Sequence, residues 1–227
     1  MAIGRTNVGG GGGSRYSLLT LTTSETSLVG ASVTITAIGE GAETETYTKV
    51  FTSARSIEFK LKQLTTYSIV CDSTLRQIDV PYYADYTVEI VKWNGVVFDN
   101  GDEYADVTGG WENNNATTFE VREYLRVVRG SIGADYGTGR TAWPIDLTNW
   151  NYLNLDGYYD ATTSSAGGSF GYGTASEMTE VQTFGRGRAT HTIDISAVTG
   201  WHYIHVGNQA GANPTRAYKV WLSKERP

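Results

Sequence analysis

The sequence predicts an all-β protein, with an N-terminal Ig-like β-sandwich followed by a C-terminal jelly-roll β-sandwich. Three observations favour this class. Short runs of alternating apolar and polar residues recur along the chain, and 27 glycines together with many Thr, Ser and Asn residues separate them. No window carries the i, i+3, i+4, i+7 apolar spacing of an amphipathic helix over three turns. With 227 residues, 40% of them apolar, the chain is long enough to build two cores.

The N-terminal sandwich is predicted over residues 16–92 from seven candidate strands. In chain order these are YSLLTLTT, SVTITA, YTKVFT, SIEFKL, TYSIVC, LRQIDV and YTVEIVKW. Turn signals separate them at a spacing of roughly 10 residues, which is typical of an Ig-like sandwich. In SIEFKL, Ile57, Phe59 and Leu61 alternate with polar residues, so we expect a sheet with one face in water.

The C-terminal sandwich is predicted over residues 93–227, because all six tryptophans lie at or after Trp93. The candidate strands are VVF, FEVREYLRVV, AWPID, YLNLDGYY, SFGYG, VQTF, RATHTIDI, WHYIHVG and AYKVWLS. Eight or nine strands over this length suit a jelly roll. Since no proline-rich or low-complexity linker marks residue 93, we expect the two domains to abut.

Residues 1–15 are predicted to be a flexible tether to a larger assembly. Gly9–Gly13 form an unbroken glycine run, which loses much chain entropy on folding and gains no side-chain contact. The segment lacks the apolar run of a secretory signal. The chain also has no run of about 18 apolar residues, so no membrane insertion is expected.

The net charge argues against one class of partner, and the cysteine content argues against thiol chemistry. The net charge of −6 argues against nucleic acid as a partner, because that binding needs clustered Lys and Arg. The single cysteine, Cys71, alternates with Tyr67 and Ile69 in TYSIVC. It is therefore predicted to be a small core residue rather than a reactive thiol.

Two short motifs of the same form predict tight turns at strand ends. They are Ile-Asp-Leu-Thr at 145–148 and Ile-Asp-Ile-Ser at 193–196. An aspartate in this position can accept hydrogen bonds from groups two residues further on. We interpret both motifs as structural, not catalytic.

The densest acidic stretch contains Asp99, Asp102, Glu103 and Asp106. Asn100-Gly101 within it predicts a type I′ hairpin turn. Two alternatives remain open here: a calcium site, because hard cations bind clustered oxygens, and a carboxylate pair of a glycoside hydrolase. No cofactor is predicted.

The remaining candidates for catalysis are weak. His202 and His205 lie three apart on a predicted strand, so they should point to opposite faces; a cross-strand pair with His191 stays open. GTGR at 137–140 falls in a predicted polar loop without the strand–helix context of a phosphate cradle. We therefore predict that the protein is not an enzyme.

Aromatic and amide side chains occupy the positions that aliphatic residues avoid on three predicted strands. If Leu153, Leu155, Ile204, Val206, Tyr218, Val220 and Leu222 pack inward, with His202, the outward residues include Tyr152, Asn154, Asp156, Tyr158, Trp201, Tyr203, His205 and Trp221. Sugars bind to such rows, because their C–H faces stack on aromatic rings and amides or carboxylates take the hydroxyls. These eight residues form a predicted platform for a ligand. An oligomer or domain interface and ordinary cover by a loop are the alternatives.

Several motifs resemble a known family. YADVTGGW, WPIDLTNWNYLNLD, HTIDISAVTGWHYIHVG and AYKVWL resemble a jelly-roll domain of tail-associated proteins of phages and prophages of Gram-positive gut bacteria. The N-terminal half resembles the small Ig-like or carboxypeptidase-regulatory-like domains that precede it. The C-terminal half is also similar in pattern to carbohydrate-binding modules.

The resemblance implies a structural or adhesion protein of a phage tail or prophage particle, with host surface glycan as a ligand. It implies a homo-oligomer, with a trimer as one form, and contacts with other tail proteins on the virion. It supplies no catalytic residues. A glycan-binding module of a bacterial surface or secreted protein is the alternative, followed by a hydrolase.

Overall fold

The computed structural model describes residues 16–38, 45–63, 65–71, 74–79, 85–90, 93–129, 137–160, 167–209 and 213–227. Its contacts divide the chain between residues 91 and 92 into an N-terminal and a C-terminal unit, with residues 69–76 grouped with the C-terminal one. The predicted domain boundaries, at 16–92 and 93–227, stay a prediction. The predicted tether at 1–15 lies outside the described residues.

The N-terminal half forms the predicted Ig-like sandwich architecture of two sheets. Its strands are β1 (Tyr16–Thr22), β2 (Ser32–Ile38), β3 (Thr46–Val50), β4 (Ser56–Lys62), β5 (Thr66–Cys71), β6 (Thr74–Asp79) and β7 (Tyr86–Glu89), with a 3-10 helix at Thr26–Leu28. One sheet has the order β4-β1-β7, in which β1 is antiparallel to β4 and parallel to β7. The other has the order β3-β2-β5-β6. Each of the seven predicted strands is present.

Alternation along β1, β2, β4 and β5 buries one side chain in two. Ile57, Phe59 and Leu61 of β4 are buried, and the polar residues between them are exposed. Cys71 is buried at the end of β5. The predictions of a sheet with one wet face and of a core cysteine are therefore confirmed.

The described residues of the C-terminal half form a second sandwich from twelve strands and one short helix. They are β8 (Val96–Asp99), α1 (Ala105–Thr108), β9 (Trp111–Asn113), β10 (Thr118–Val121), β11 (Leu125–Val128), β12 (Gly137–Thr141), β13 (Ile145–Asp146), β14 (Tyr152–Tyr159), β15 (Gly168–Gly173), β16 (Met178–Phe184), β17 (Gly187–Asp194), β18 (Trp201–Asn208) and β19 (Thr215–Ser223).

In the described part of this half, two six-stranded sheets face each other. Sheet I has the order β10-β11-β19-β14-β17, with β8 also paired to β19. Sheet II has the order β16-β15-β18-β12-β9, with β13 also paired to β18. Leu155 and Val220 of sheet I and Phe170 and Ile204 of sheet II belong to one buried cluster between them. The all-β prediction, with a jelly-roll-like sandwich at the C-terminal end, is confirmed.

Three local predictions in this half are wrong. In the predicted strand AWPID, only Ile145–Asp146 forms a strand. FEVREYLRVV is not one strand but a hairpin of β10 and β11, in which the Arg122 N–H donates to the Tyr124 carbonyl at 3.0 Å. GTGR is not a polar loop: it begins β12, and Gly139 is buried against the Phe119 ring. A Cβ at Gly139 would lie 2.0 Å from that ring, so the glycine makes the close approach possible.

Both Ile-Asp motifs form the predicted turns. Asp146 Oδ1 accepts from the Thr148 N–H at 3.0 Å and from its hydroxyl at 2.6 Å. Asp194 Oδ1 accepts in the same way from Ser196, at 3.0 and 2.7 Å. These two predictions are confirmed.

Among the described residues, no helix has the length and apolar character that a membrane-crossing helix needs.

Candidate functional site

Strand parity in the C-terminal sandwich follows the predicted pattern. Leu153 and Leu155 on β14 and Ile204 and Val206 on β18 are each 0% exposed. Trp201, on the other side of β18, is 42% exposed. The aliphatic side chains therefore fill the interior, and the predicted platform residues lie on outer faces of the sandwich.

The eight platform residues do not form one surface, and that part of the prediction is wrong. Tyr152, Asn154, Asp156 and Tyr158 on β14 and Trp221 on β19 belong to sheet I, whereas Trp201, Tyr203 and His205 on β18 belong to sheet II. The outer faces of two packed sheets point in opposite directions. Alternation along a strand distinguishes inside from outside but does not say which sheet the strand joins.

Asn154 and His205 were expected to face a partner, but both are 0% exposed. The Asn154 side-chain amide donates to the Trp221 carbonyl at 3.3 Å and to the Ser223 hydroxyl at 2.9 Å. These bonds hold it against β19. Its position on an outer face therefore does not make it available for binding.

His205 is buried because the chain folds over sheet II at this point. Its Nε2 lies 2.9 Å from the Thr174 carbonyl. Gly171, its partner on β15, is overlaid by the Glu180 carbonyl and the Met178 side chain. Burial lowers the pKa of His205 to about 4, so the ring is neutral near pH 7. This loop cover is one of the alternatives that the sequence left open.

A β-bulge on β19 changes which residues sheet I exposes. Asp156 pairs with Lys219, whereas Gly157 pairs with Ala217. Tyr218 is therefore an extra residue, and its half-buried ring lies on the outer side. The prediction that Tyr218 packs inward is wrong, because a bulge interrupts the alternation on which it rests.

The bulge completes a cluster of rings and cations on the outer side of sheet I. We call this cluster the ring face; it consists of Tyr124, Tyr158, Tyr218, Trp221, Arg188, Arg216 and Lys219.

Within the ring face, the rings and cations stack on one another. The Tyr124 and Tyr218 ring centroids are 5.4 Å apart. The Arg188 guanidinium lies 3.9 Å from the Tyr218 centroid. Arg216 lies between two rings, 5.5 Å from Tyr124 and 5.4 Å from Tyr158. These contacts order the rings. Arg188 covers one face of the Tyr218 ring, and all four rings of the ring face remain half-buried.

Each cation of the ring face also pairs with a carboxylate. Arg188 makes a bidentate contact with Asp156, with Nε to Oδ1 at 3.0 Å and Nη2 to Oδ2 at 2.6 Å. This bond raises the pKa of Arg188 further.

The other two pairs lie along β19. Arg216 Nη2 is 3.3 Å from Asp160 Oδ2, and Lys219 Nζ is 2.8 Å from Asp99 Oδ2. Pairs this exposed contribute little to stability. These ion pairs do hold hydrogen-bond donors and acceptors at fixed positions beside the rings.

The sequence interpretation missed Tyr124, Arg188, Arg216 and Tyr218. Arg188 and Arg216 each pair directly with Tyr158, in the β14–β17 and β14–β19 ladders. Knowledge of these two strand pairings would have placed both arginines on this face. That pairing is nonlocal and has no signal within either strand. Tyr124 lies in the unpredicted turn of the β10–β11 hairpin.

Among the described residues, the outer side of sheet II carries fewer rings than the outer side of sheet I. Arg140 lies 4.5 Å from the Tyr203 ring centroid and forms an ion pair with Glu112. Trp201 stands at the end of β18, where it pairs with Asp146.

The acidic stretch is a turn in which the carboxylates have separate partners. Asn100 and Gly101 have φ of 51° and 92°, and Asp99 and Asp102 exchange both backbone hydrogen bonds at 3.0 Å. The type I′ prediction is confirmed.

Two further carboxylates of this stretch bind backbone groups. Asp102 Oδ1 accepts from the Tyr104 N–H at 2.9 Å, and Glu103 Oε1 accepts from the Trp111 N–H at 2.8 Å. The Asp106 side chain lies outside the described residues. Within the described part of the chain, no three His, Cys, Asp or Glu side chains are grouped so that they could hold a metal ion.

The histidines lie apart. His191 is on β17 of sheet I, whereas His202 and His205 are on β18 of sheet II. His202 Nε2 lies 3.0 Å from the Thr199 carbonyl. The two histidines of β18 point to opposite sides, as the parity argument predicts.

Comparison with known proteins finds no matching family model and no matching curated protein. Solved structures match over most of the chain at low identity. The secreted serine protease VesC from Vibrio cholerae is 7% identical with a TM-score of 0.36; the match covers 93% of this chain and 48% of VesC. This chain thus spans about half the length of VesC.

A second structure concerns carbohydrate-binding modules of the beta-sandwich super family and the basis of their promiscuous specificity. It is 12% identical with a TM-score of 0.30, and the match covers 85% of this chain and 84% of that one. Likeness at these scores assigns no function.

Proposed function

We propose that the C-terminal sandwich is a non-catalytic carbohydrate-binding module and that the ring face is its binding surface. One observation carries the proposal: four aromatic rings share the outer side of sheet I with three cations, each paired to a carboxylate. The rings offer apolar faces, and the ion pairs place donors and acceptors at fixed positions beside them.

This combination matches the two chemistries of a sugar. The C–H face of a pyranose stacks on an aromatic ring, and burying that ring face contributes on the order of 1–2 kcal/mol at roughly 25 cal/mol per Å². The bidentate Arg188–Asp156 pair presents guanidinium donors and carboxylate acceptors in a fixed plane, which suits vicinal hydroxyls. Two stacks and a few hydrogen bonds support an affinity of about millimolar to micromolar.

Glycan-array binding and calorimetry test the assignment with substitutions on the two opposite faces. We expect Tyr218→Ala and Trp221→Ala to weaken glycan binding about tenfold or more, because each removes a stacking ring. Trp201→Ala, on sheet II, is the matched control and should bind like the wild type. Circular dichroism should show that all three proteins are folded.

Two results would contradict the proposal. Equal signals from the wild type and all three variants would remove the ring face as a binding surface. A loss confined to Trp201→Ala would move the site to sheet II.

We also propose that the protein belongs to the tail of a phage or prophage particle, where other tail proteins would be its partners. The support is the resemblance of the YADVTGGW and HTIDISAVTGWHYIHVG motifs to tail-associated jelly rolls. An adhesion role on a virion suits weak single sites, because several copies bind one surface with increased avidity. A glycan-binding module of a bacterial surface or secreted protein would use the same ring face.

A homotrimer is the assembly that this role favours. Light scattering after size exclusion should give three times the chain mass of 24.7 kDa at micromolar concentration. The mass of a single chain under these conditions would exclude the trimer, and it would leave glycan binding by the ring face intact.

A further inference from the structure

A cavity of about 500 Å³ opens at one edge of the C-terminal sandwich. It is lined by Gln182, Thr190, His191, Thr192, Arg226 and Pro227. Gln182 is on β16, an edge strand of sheet II, and the residues 190–192 are on β17, an edge strand of sheet I. Only residues 185 and 186 join these two strands, so the cavity lies where the two sheets separate. Its size falls within the range of small-molecule sites, about 300–1,000 Å³.

One lining residue of the cavity, His191, stacks on an aromatic ring behind it. The His191 ring lies 4.4 Å from the Phe184 ring, with 20° between their planes. His191 Nε2 is buried and makes no hydrogen bond to a described residue. A buried polar atom without a partner is costly. Nε2 itself is closed to solvent, so a ligand hydroxyl reaches it only when the His191 ring turns.

The polar groups of the cavity suit hydroxyls better than anions. Burial lowers the pKa of His191, so its ring is neutral near pH 7 and Nε2 can donate or accept. The amide of Gln182 and the hydroxyls of Thr190 and Thr192 also do both. Of the six lining residues, Arg226 alone is cationic. A phosphate or carboxylate pairs with hydrogen-bond donors only, whereas sugar hydroxyls pair with both donors and acceptors.

The cavity adjoins the ring face. Across the β14–β17 ladder, Thr190 pairs with Asp156 and Thr192 with Asn154. Asp156 is the partner of Arg188 in the ring face. One strand, β14, separates Thr190 on β17 from Tyr218 on β19, so a glycan stacked on Tyr218 spans about 10 Å, two strand spacings, to reach Thr190.

We propose that this cavity is a second saccharide subsite, which takes one sugar residue of a glycan whose neighbouring residues stack on the ring face. The inference depends on the proposed function, and it adds the ligand class: an oligosaccharide of neutral sugars, held at one end by hydrogen bonds rather than by stacking.

Nuclear magnetic resonance titration tests the subsite with defined probes: cellotetraose, chitotetraose and the corresponding monosaccharides. A binding probe should shift the His191 imidazole Nε2 and the amides of Thr190 and Thr192 along a saturating curve. Gln182→Leu and Thr192→Val should weaken that binding about three- to tenfold, the effect of one lost hydrogen bond. Thr183→Val, exposed on the opposite face of β16, is the matched control and should leave binding unchanged.

The outcomes separate the subsite from the ring face. Shifts confined to Tyr218, Trp221 and their neighbours would overturn the subsite and leave the proposed function standing. Shifts at neither place with any probe would overturn both. Shifts at His191 that Gln182→Leu and Thr192→Val leave unaltered would also overturn the subsite.

Discussion

Acidification from pH 6.5 to pH 4 is expected to lower the free energy of unfolding of the C-terminal sandwich by on the order of 3 kcal/mol through His205 alone. The folded protein keeps His205 neutral because burial lowers its pKa to about 4. The unfolded chain binds a proton near the ordinary pKa of 6.5. Below that pH the unfolded state therefore holds more protons than the folded one, and stability falls until the folded pKa is reached.

Urea denaturation at pH 7.5, 5.5 and 4.5 measures this effect. His205→Gln keeps an amide near the Thr174 carbonyl and removes the titration, so its stability should fall less between pH 7.5 and 4.5 than that of the wild type. Carboxylates titrate in both proteins, and their contribution cancels in the difference. His202→Gln, on the same strand, is the control and should retain the acid sensitivity. Equal losses in wild type and His205→Gln would show that His205 is not held neutral.

The second large effect is expected from Gly171→Ala, which should destabilise the C-terminal sandwich by about 3 kcal/mol. A Cβ at Gly171 would lie 1.8 Å from the Glu180 carbonyl oxygen and 2.9 Å from its carbon. Backbone atoms cannot rotate away as a flexible side chain can. Relieving the overlap must separate β15 from β16, and this also opens the cover over His205.

Gly137→Ala is the matched control on β12. Its Cβ would meet its nearest neighbours, the Ala116 and Arg129 Cα atoms, at 3.2 Å, an overlap that small shifts relieve. We expect this variant to lose less than about 1 kcal/mol. Chemical denaturation of both variants gives the comparison; a similar cost for the two would show that the close approach at Gly171 is not a constraint.

The features that the sequence predicted correctly are governed by local physics. Alternation in SIEFKL predicts which residues of β4 are buried. Asn100-Gly101 predicts a type I′ turn because both residues tolerate positive φ. The two Ile-Asp motifs predict their turns because the acceptor and the donors lie two residues apart. None of these needs knowledge of a distant strand.

The features that it missed are nonlocal. Whether β14 and β18 join the same sheet depends on pairing between strands that are far apart in the sequence. Alternation alone therefore could not show that the eight platform residues belong to two different sheets. The bulge at Tyr218 appears only in the pairing with β14. The burial of His205 depends on the turn at Thr174 and on the close approach at Gly171.

The GTGR segment shows that amino-acid composition alone does not predict secondary structure. Its two glycines and threonine are typical of a loop, and the segment instead forms β12 between β18 and β9. The ring of Phe119 occupies the space that a side chain at Gly139 would fill. Packing of an aromatic residue from a distant strand against Gly139 is thus compatible with an interior strand of turn-like composition.

Because Trp201 and Trp221 stand on opposite sides of the sandwich, about two sheet thicknesses apart, no single flat object can touch both. A copy attached to its neighbours through the Trp201 side would keep Trp221 and Arg188 free to engage a cell surface. Immobilising the domain through the Trp201 side should therefore leave glycan binding by the ring face unchanged.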